Sequence, residues 1–132
     1  MRAAEAAGVT GILMSSDCVD IYNPKTIRST MGALYRVPFV VSEDFAGDIE
    51  RLKKAGVSTY AAHLGATISY EGADYKKPCA FMIGNEANGL SDDVAALADC
   101  KILIPMAGQV ESLNAAMAAT VLMFEAARQR RN

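Results

Sequence analysis

At 132 residues, 52% of them hydrophobic and 21% charged, the chain has the length of one domain and the apolar content of a sizeable core. No apolar run is long enough to cross a bilayer, and the start Met1-Arg2-Ala3-Ala4-Glu5 lacks a signal-peptide layout, so no membrane partner is expected. A net charge of −2 argues against strong non-specific nucleic-acid binding, which leaves any RNA to a local basic patch.

Helix and strand signals then alternate along the chain. Arg2 to Ala7 reads as the tail of a helix, stopped by Gly8 as a left-handed cap. Val9 to Met14 reads as a short apolar strand. Asn23 is placed as an N-cap, with Pro24 at the first helical position. In that helix Ile27, Met31 and Leu34 repeat at core-facing spacing, while Lys25 and Arg28 share another face. Val37 to Val41 is β-branched and predicts a buried strand. Ser42 is placed as the cap of a helix with Phe45, Ile49 and Leu52 as its apolar stripe, ended by Gly56. Val57 to Ala62 is strand, and His63 to Lys77 an irregular excursion. Cys79 to Ile83 is strand, Ser91 to Ala98 a short helix, Lys101 to Ile104 strand, and Ser112 to Arg131 a long final helix. The alternation predicts an α/β fold, a mostly parallel sheet with helices on both faces. The chain opens inside a helix with no strand ahead of it, whereas a doubly wound domain ordinarily opens with one.

Two loops stand out in the last third, each following a short apolar run. One is Gly84-Asn85-Glu86-Ala87-Asn88-Gly89, the other runs from Pro105 through Gly108 to Asn114. Loops at strand ends wall ligand pockets in open α/β sheets. The first loop is neither a P-loop nor Gly-x-Gly-x-x-Gly, so a triphosphate site is unsupported. Its glycines either relieve backbone strain or wall such a pocket, and Glu86 between them has a hydrogen-bond or ion-pair task. The second loop is either a plain connection with Ser112 as N-cap, or a grip by the backbone of Ile104, Met106 and Leu113 on an adenine-like ring. Lys25 and Arg28 read as a solvated face or as phosphate contacts. His63 has no Ser or Cys partner and reads as a strand-end or loop histidine. The three cysteines, Cys18, Cys79 and Cys100, lack metal-type spacing. With a single histidine they fit a reduced cytoplasmic setting and no metal.

Together these segments resemble the SpoU/TrmH family of RNA ribose methyltransferases, within the SPOUT superfamily. Ile83-Gly84-Asn85-Glu86-Ala87-Asn88-Gly89-Leu90 looks like that family's second motif. Ile104-Pro105-Met106-Ala107-Gly108 through Glu111-Ser112-Leu113-Asn114 looks like its third. Asn23-Pro24-Lys25 with Arg28-Ser29-Thr30-Met31-Gly32-Ala33 is similar to the segment between the first and second. The first motif, Asn-x-Gly-x-x-x-Arg, is matched only from its arginine, at Arg2, through Gly8. The chain is accordingly expected to be one SpoU-type domain, residues 1–132, lacking the first strand and any N-terminal RNA-binding domain.

The resemblance implies methyl transfer from S-adenosylmethionine to a ribose 2′-hydroxyl of rRNA or tRNA, by a homodimer whose sheet ends in a deep trefoil knot. It implies cofactor contacts at Leu64, Gly65, Gly84, Asn85, Ile104, Met106 and Leu113. Catalytic positions fall at Arg2, Glu86, Ser112 and Asn114, and RNA contacts at Lys25 and Arg28. A guanidinium has a pKa above about 12, so Arg2 is expected to steady developing negative charge rather than act as a base, with Glu86 as its orienting partner. The readings held beside this one are a non-catalytic α/β module with a vestigial pocket, binding RNA or protein, and a knotted methyltransferase acting on a base nitrogen.

Overall fold

In the computed structural model, which describes Met1–Asn132, the first helix, α1 (Arg2–Ala7), ends on Gly8 at φ 79° as the sequence predicts. The amides of Gly8 and Val9 donate to the Glu5 and Ala4 carbonyls at 3.0 and 2.9 Å, the paired bonds of a Schellman cap. That cap consumes Val9, so strand β1 is Ile12–Ser15, starting later than the apolar run. Asn23 caps α2 (Pro24–Ser29) by accepting the Lys25 amide at 3.0 Å, with Pro24 in the first turn. Strand β2 (Phe39–Ser42) pairs with β1 in parallel, Ile12 opposite Phe39 and Ser15 opposite Ser42.

Three expectations in this stretch are corrected. Helix α2 stops at Ser29, and Met31 then takes a left-handed φ of 50°, so it leaves the helical phase and lies 64% exposed. Leu34 does reach the core. Val40 and Val41 are exposed although they sit in β2, because a β-branched run reports strand propensity and not which face is covered. Ser42 is the last residue of β2 rather than a cap, and α3 (Phe45–Lys54) begins three residues later.

The chain divides into two compact units, Met1–Phe45 and Ala46–Asn132. The second contains β3 (Ser58–Ala62), β4 (Ile68–Ser69), β5 (Cys79–Met82), α4 (Asp92–Ala95), β6 (Cys100–Leu103) and α5 (Ala115–Arg131). Its strands form one parallel sheet in the order β4-β6-β3-β5. The strands pair as two parallel sheets, one of two strands in the first unit and one of four in the second. Strand β4 is the element the sequence reading assigned to an irregular excursion, and at two residues it is too short to show a period.

The core of the second unit gathers Tyr75, Ile102, Leu122 and Ala126. Tyr75 is fully buried, its ring edge-on to Tyr60 and to Phe81 at centroid distances of 5.0 Å. Its hydroxyl donates to the Tyr70 carbonyl at 2.6 Å, and burial pushes the phenol well above its ordinary pKa. The end of α5 is tied to the chain ahead of β5. Gln129 accepts the Tyr75 amide at 2.8 Å, and Arg130 donates to the carbonyls of Tyr75 and Lys77 at 2.9 and 3.0 Å.

A second lock sits at the start of β3. Asp99 Oδ2 accepts both the amide and the hydroxyl of the buried Thr59, at 2.8 and 2.9 Å, and the Asp99 amide donates back to that hydroxyl at 2.9 Å. The Thr59 amide first, then its hydroxyl and Lys53, hold the Asp99 carboxyl below the usual carboxylate range. Thr59→Val is expected to cost about 1 kcal/mol in urea unfolding near neutral pH, because it takes one donor from the exposed Asp99 carboxylate and the acceptor from the Asp99 amide. The carboxylate contribution is fully present above the unfolded carboxyl's pKa of about 3.9 and is lost as pH falls through the lower folded value. The gap between wild type and variant should therefore narrow in acid; a gap independent of pH would show that Thr59 acts by packing alone.

Candidate active site

The C-terminal ends of β3, β5 and β6 open onto one cavity of about 400 Å³. Three loops wall it: His63 and Leu64 after β3, residues 83–90 after β5, and the stretch from Ile104 to Asn114 after β6. Ala115 and Ala118 of α5 close it. A volume in the few-hundred Å³ range with apolar walls and a few placed polar groups is typical of a small-molecule site.

The Gly84 turn folds back on itself, so that Gly89 and Leu90 lie against Gly84. A Cβ on Gly84 would lie 1.9 Å from the carbonyl carbon of Gly89 and 2.1 Å from the amide nitrogen of Leu90. No side chain fits there, so glycine is required by close approach, whereas Gly89 is required by its φ of 64°. Asn85 closes the turn: its carbonyl accepts the Gly89 amide at 3.0 Å, and its side-chain oxygen accepts the Asn88 amide at 2.7 Å.

Asn114 joins the two loops. Its Oδ1 caps α5 by accepting the Ala116 and Met117 amides at 2.9 and 3.4 Å, while its Nδ2 donates to Glu86 Oε1 at 2.8 Å. The helix expected from Ser112 thus starts at Ala115, with Asn114 rather than Ser112 as its cap. Ser112 lies ahead of the helix, exposed and lining the cavity. Ser112 is free of capping duty and lines the same cavity as the Glu86–Asn114 pair.

Of the residues the sequence singles out, Leu64, Gly84, Asn85, Glu86, Ile104, Met106, Ser112, Leu113 and Asn114 line this one cavity. Gly65 does not; its amide donates to His63 Nδ1 at 3.0 Å instead. Arg2, Lys25 and Arg28 belong to the first unit. Lys25 and Arg28 are exposed on α2. Arg2 is exposed at the start of α1 and borders a separate open hollow with Glu5, Thr30, Met31 and Arg36. There Arg36 engages both carboxylate oxygens of Glu5 and also donates to the Met31 carbonyl at 3.3 Å. The partner that the structure gives Glu86 is Asn114.

Sequence reasoning missed His63 as a wall of the cavity, along with its pairing to Asp92, 3.0 Å from Nε2. The available signal was position: the one histidine of the chain directly follows a strand and precedes Leu64-Gly65.

A family model, the SpoU rRNA Methylase family, matches residues 1–124. The 23S rRNA (uridine(2479)-2′-O)-methyltransferase of Streptomyces viridochromogenes is 35% identical over 98% of this chain and 47% of its own length. The 23S rRNA (guanosine(2553)-2′-O)-methyltransferase RlmP of Bacillus subtilis is 32% identical over 94% of this chain and 50% of its own. Among solved structures, that of the SpoU methyltransferase AviRb from Streptomyces viridochromogenes, in complex with AdoMet, superposes with a TM-score of 0.88 at 35% identity. It covers 98% of this chain and 53% of the other. The chain spans about half the length of the curated relatives it matches.

Proposed function

The chain belongs to the SpoU rRNA methylase family, and on that footing we propose that it transfers a methyl group from S-adenosylmethionine to a ribose 2′-hydroxyl of rRNA or tRNA. The observation that carries the reading is the convergence of the two motif loops on one cavity, with Glu86 and Asn114 bonded across it. The cofactor fits that cavity in kind. Ile83, Leu103, Ile104 and Leu113 offer apolar walls for an adenine ring, and the loop backbones and Asn85 offer polar groups at their edge. The bare Gly84 allows the close backbone approach that shapes the wall.

When bound, S-adenosylmethionine supplies an electrophilic methyl group on a sulfonium. The chain's own part is to align the ribose oxygen with that methyl and to lower the cost of losing the hydroxyl proton. Glu86 is a fixed acceptor at the cavity, held by Asn114, and Ser112 supplies a free hydroxyl beside them. Arg2 serves as a fixed positive charge toward the RNA, since a guanidinium is a poor base.

Lys25 and Arg28 are proposed as RNA phosphate contacts, supported by their exposure on one short helix. A trefoil knot formed as the chain after β6 passes the 84–90 loop is proposed with them, supported by the shared cavity wall. So are a homodimer and a reducing, cytoplasmic setting, the last supported by three free cysteines. No helix is long and apolar enough to cross a membrane. Sedimentation equilibrium reads the dimer, a crystal structure reads the threading, and RNA retention by Lys25→Glu/Arg28→Glu reads the phosphate contacts.

Calorimetric titration with S-adenosylhomocysteine tests the central reading. The expected result is micromolar binding, about −8 kcal/mol, that Ala118→Phe loses by filling the cavity from α5. A folded chain that binds none would overturn the cofactor reading and favour the non-catalytic module.

A further inference from the structure

His63 is the last residue before the turn that walls one side of the cavity, and each of its ring nitrogens has a close polar neighbour. Nδ1 accepts the Gly65 amide at 3.0 Å. A nitrogen that accepts has no proton, so in the neutral ring the proton sits on Nε2. Nε2 lies 3.0 Å from Asp92 Oδ1 at the start of α4. Gly65 completes the fit: a Cβ there would stand 3.1 Å from Nδ1 and 3.2 Å from Cε1, against the face of the ring. The turn is closed by the Ala66 amide on the His63 carbonyl at 3.1 Å, and His63 is anchored to the sheet by its own amide on Ile102 at 3.0 Å.

This ring stands between one wall of the cavity and the start of α4. Leu64, two-thirds exposed and lining the cavity, is carried on the turn that Nδ1 organises. Asp92 is the first residue of α4, whose cap Ser91 directly follows the Gly84–Leu90 wall. We propose that His63 is the positioning residue that organises the Leu64–Gly65 turn through Nδ1, beside the start of α4, and so holds this wall of the cavity in its cofactor-binding shape. The inference rests on the reading of this cavity as the S-adenosylmethionine site.

The test is calorimetric titration of S-adenosylhomocysteine with wild type, His63→Asn and His63→Leu at one pH near neutrality. Asparagine can accept the amide two residues on, as in an Asx turn, whereas leucine cannot. His63→Asn is expected within about threefold of wild type. His63→Leu, checked for folding by circular dichroism, is expected to bind about tenfold more weakly. Wild-type affinity in folded His63→Leu, or affinity in His63→Asn as weak as in His63→Leu, would overturn the role of the ring alone. No binding by folded wild type would sink the cofactor reading, and this inference with it.

Discussion

Gly84→Ala is expected to destabilise the second unit by about 3 kcal/mol or more and to abolish binding of S-adenosylhomocysteine. The added methyl has nowhere to go. Its carbon would sit 1.9 Å from one backbone atom and 2.1 Å from the next, and a backbone cannot step aside as a side-chain tip can. Relief requires Gly89 and Leu90 to move, which breaks the Asn85–Gly89 bridge and displaces the cavity wall. Gly89→Ala is the matched comparison. It meets no atom within 4 Å, and its penalty is only the left-handed φ of 64°, about 1–2 kcal/mol. Urea unfolding and calorimetry on both variants separate the two causes. If Gly84→Ala costs no more than Gly89→Ala and still binds, the close approach is not what shapes the wall.

The turn that makes this prediction was legible in the sequence, but its reason was not. Two glycines bracketing Asn85-Glu86-Ala87-Asn88 announce a tight turn after an apolar run. Strain relief was the ordinary explanation, and it holds for Gly89 alone. Gly84 is needed because the backbone of Gly89 and Leu90, five and six positions on in the same turn, fills the space a side chain would take, which residue types alone do not show. The helix caps at Gly8 and Asn23 were legible because their chemistry is local. Met31 failed for a matching reason. The apolar repeat through Ile27, Met31 and Leu34 assumes a helix that continues, and the chain instead turns left-handed at Met31 and Gly32. Val40 and Val41 show that composition identifies a strand without identifying what covers it. In the site, the two motif loops were found by type and spacing, while the bond from Asn114 to Glu86, 28 positions apart in the chain, came only from the fold. His63 was passed over because a lone histidine carries no pattern; its meaning lies in Gly65 beside it and Asp92 across from it.

Asn114→Asp separates the structural duty of that residue from its duty toward Glu86. Aspartate caps a helix as well as asparagine does, and its charge is favourable at the N-terminus of α5. Thermal stability is therefore expected to change by less than about 1 kcal/mol. The donor, however, is gone. Where Nδ2 now sits 2.8 Å from Glu86 Oε1, two carboxylates would face each other. Like charges so close raise the pKa of one member, so near neutral pH the pair is repelled and Glu86 swings from its place. Methyl transfer from labelled S-adenosylmethionine to rRNA or tRNA is expected to fall about 100-fold at pH 7, as for loss of one preorganised polar contact. Acidification should recover part of it, because a carboxyl with a raised pKa regains its proton first and can again donate to its neighbour. Asn114→Ala loses the cap as well, costing about 1 kcal/mol, and its deficit should not recover in acid. If Asn114→Asp transfers methyl groups at the wild-type rate at neutral pH, the residue is a helix cap and nothing more, and Glu86 must be held in place by something other than this bond.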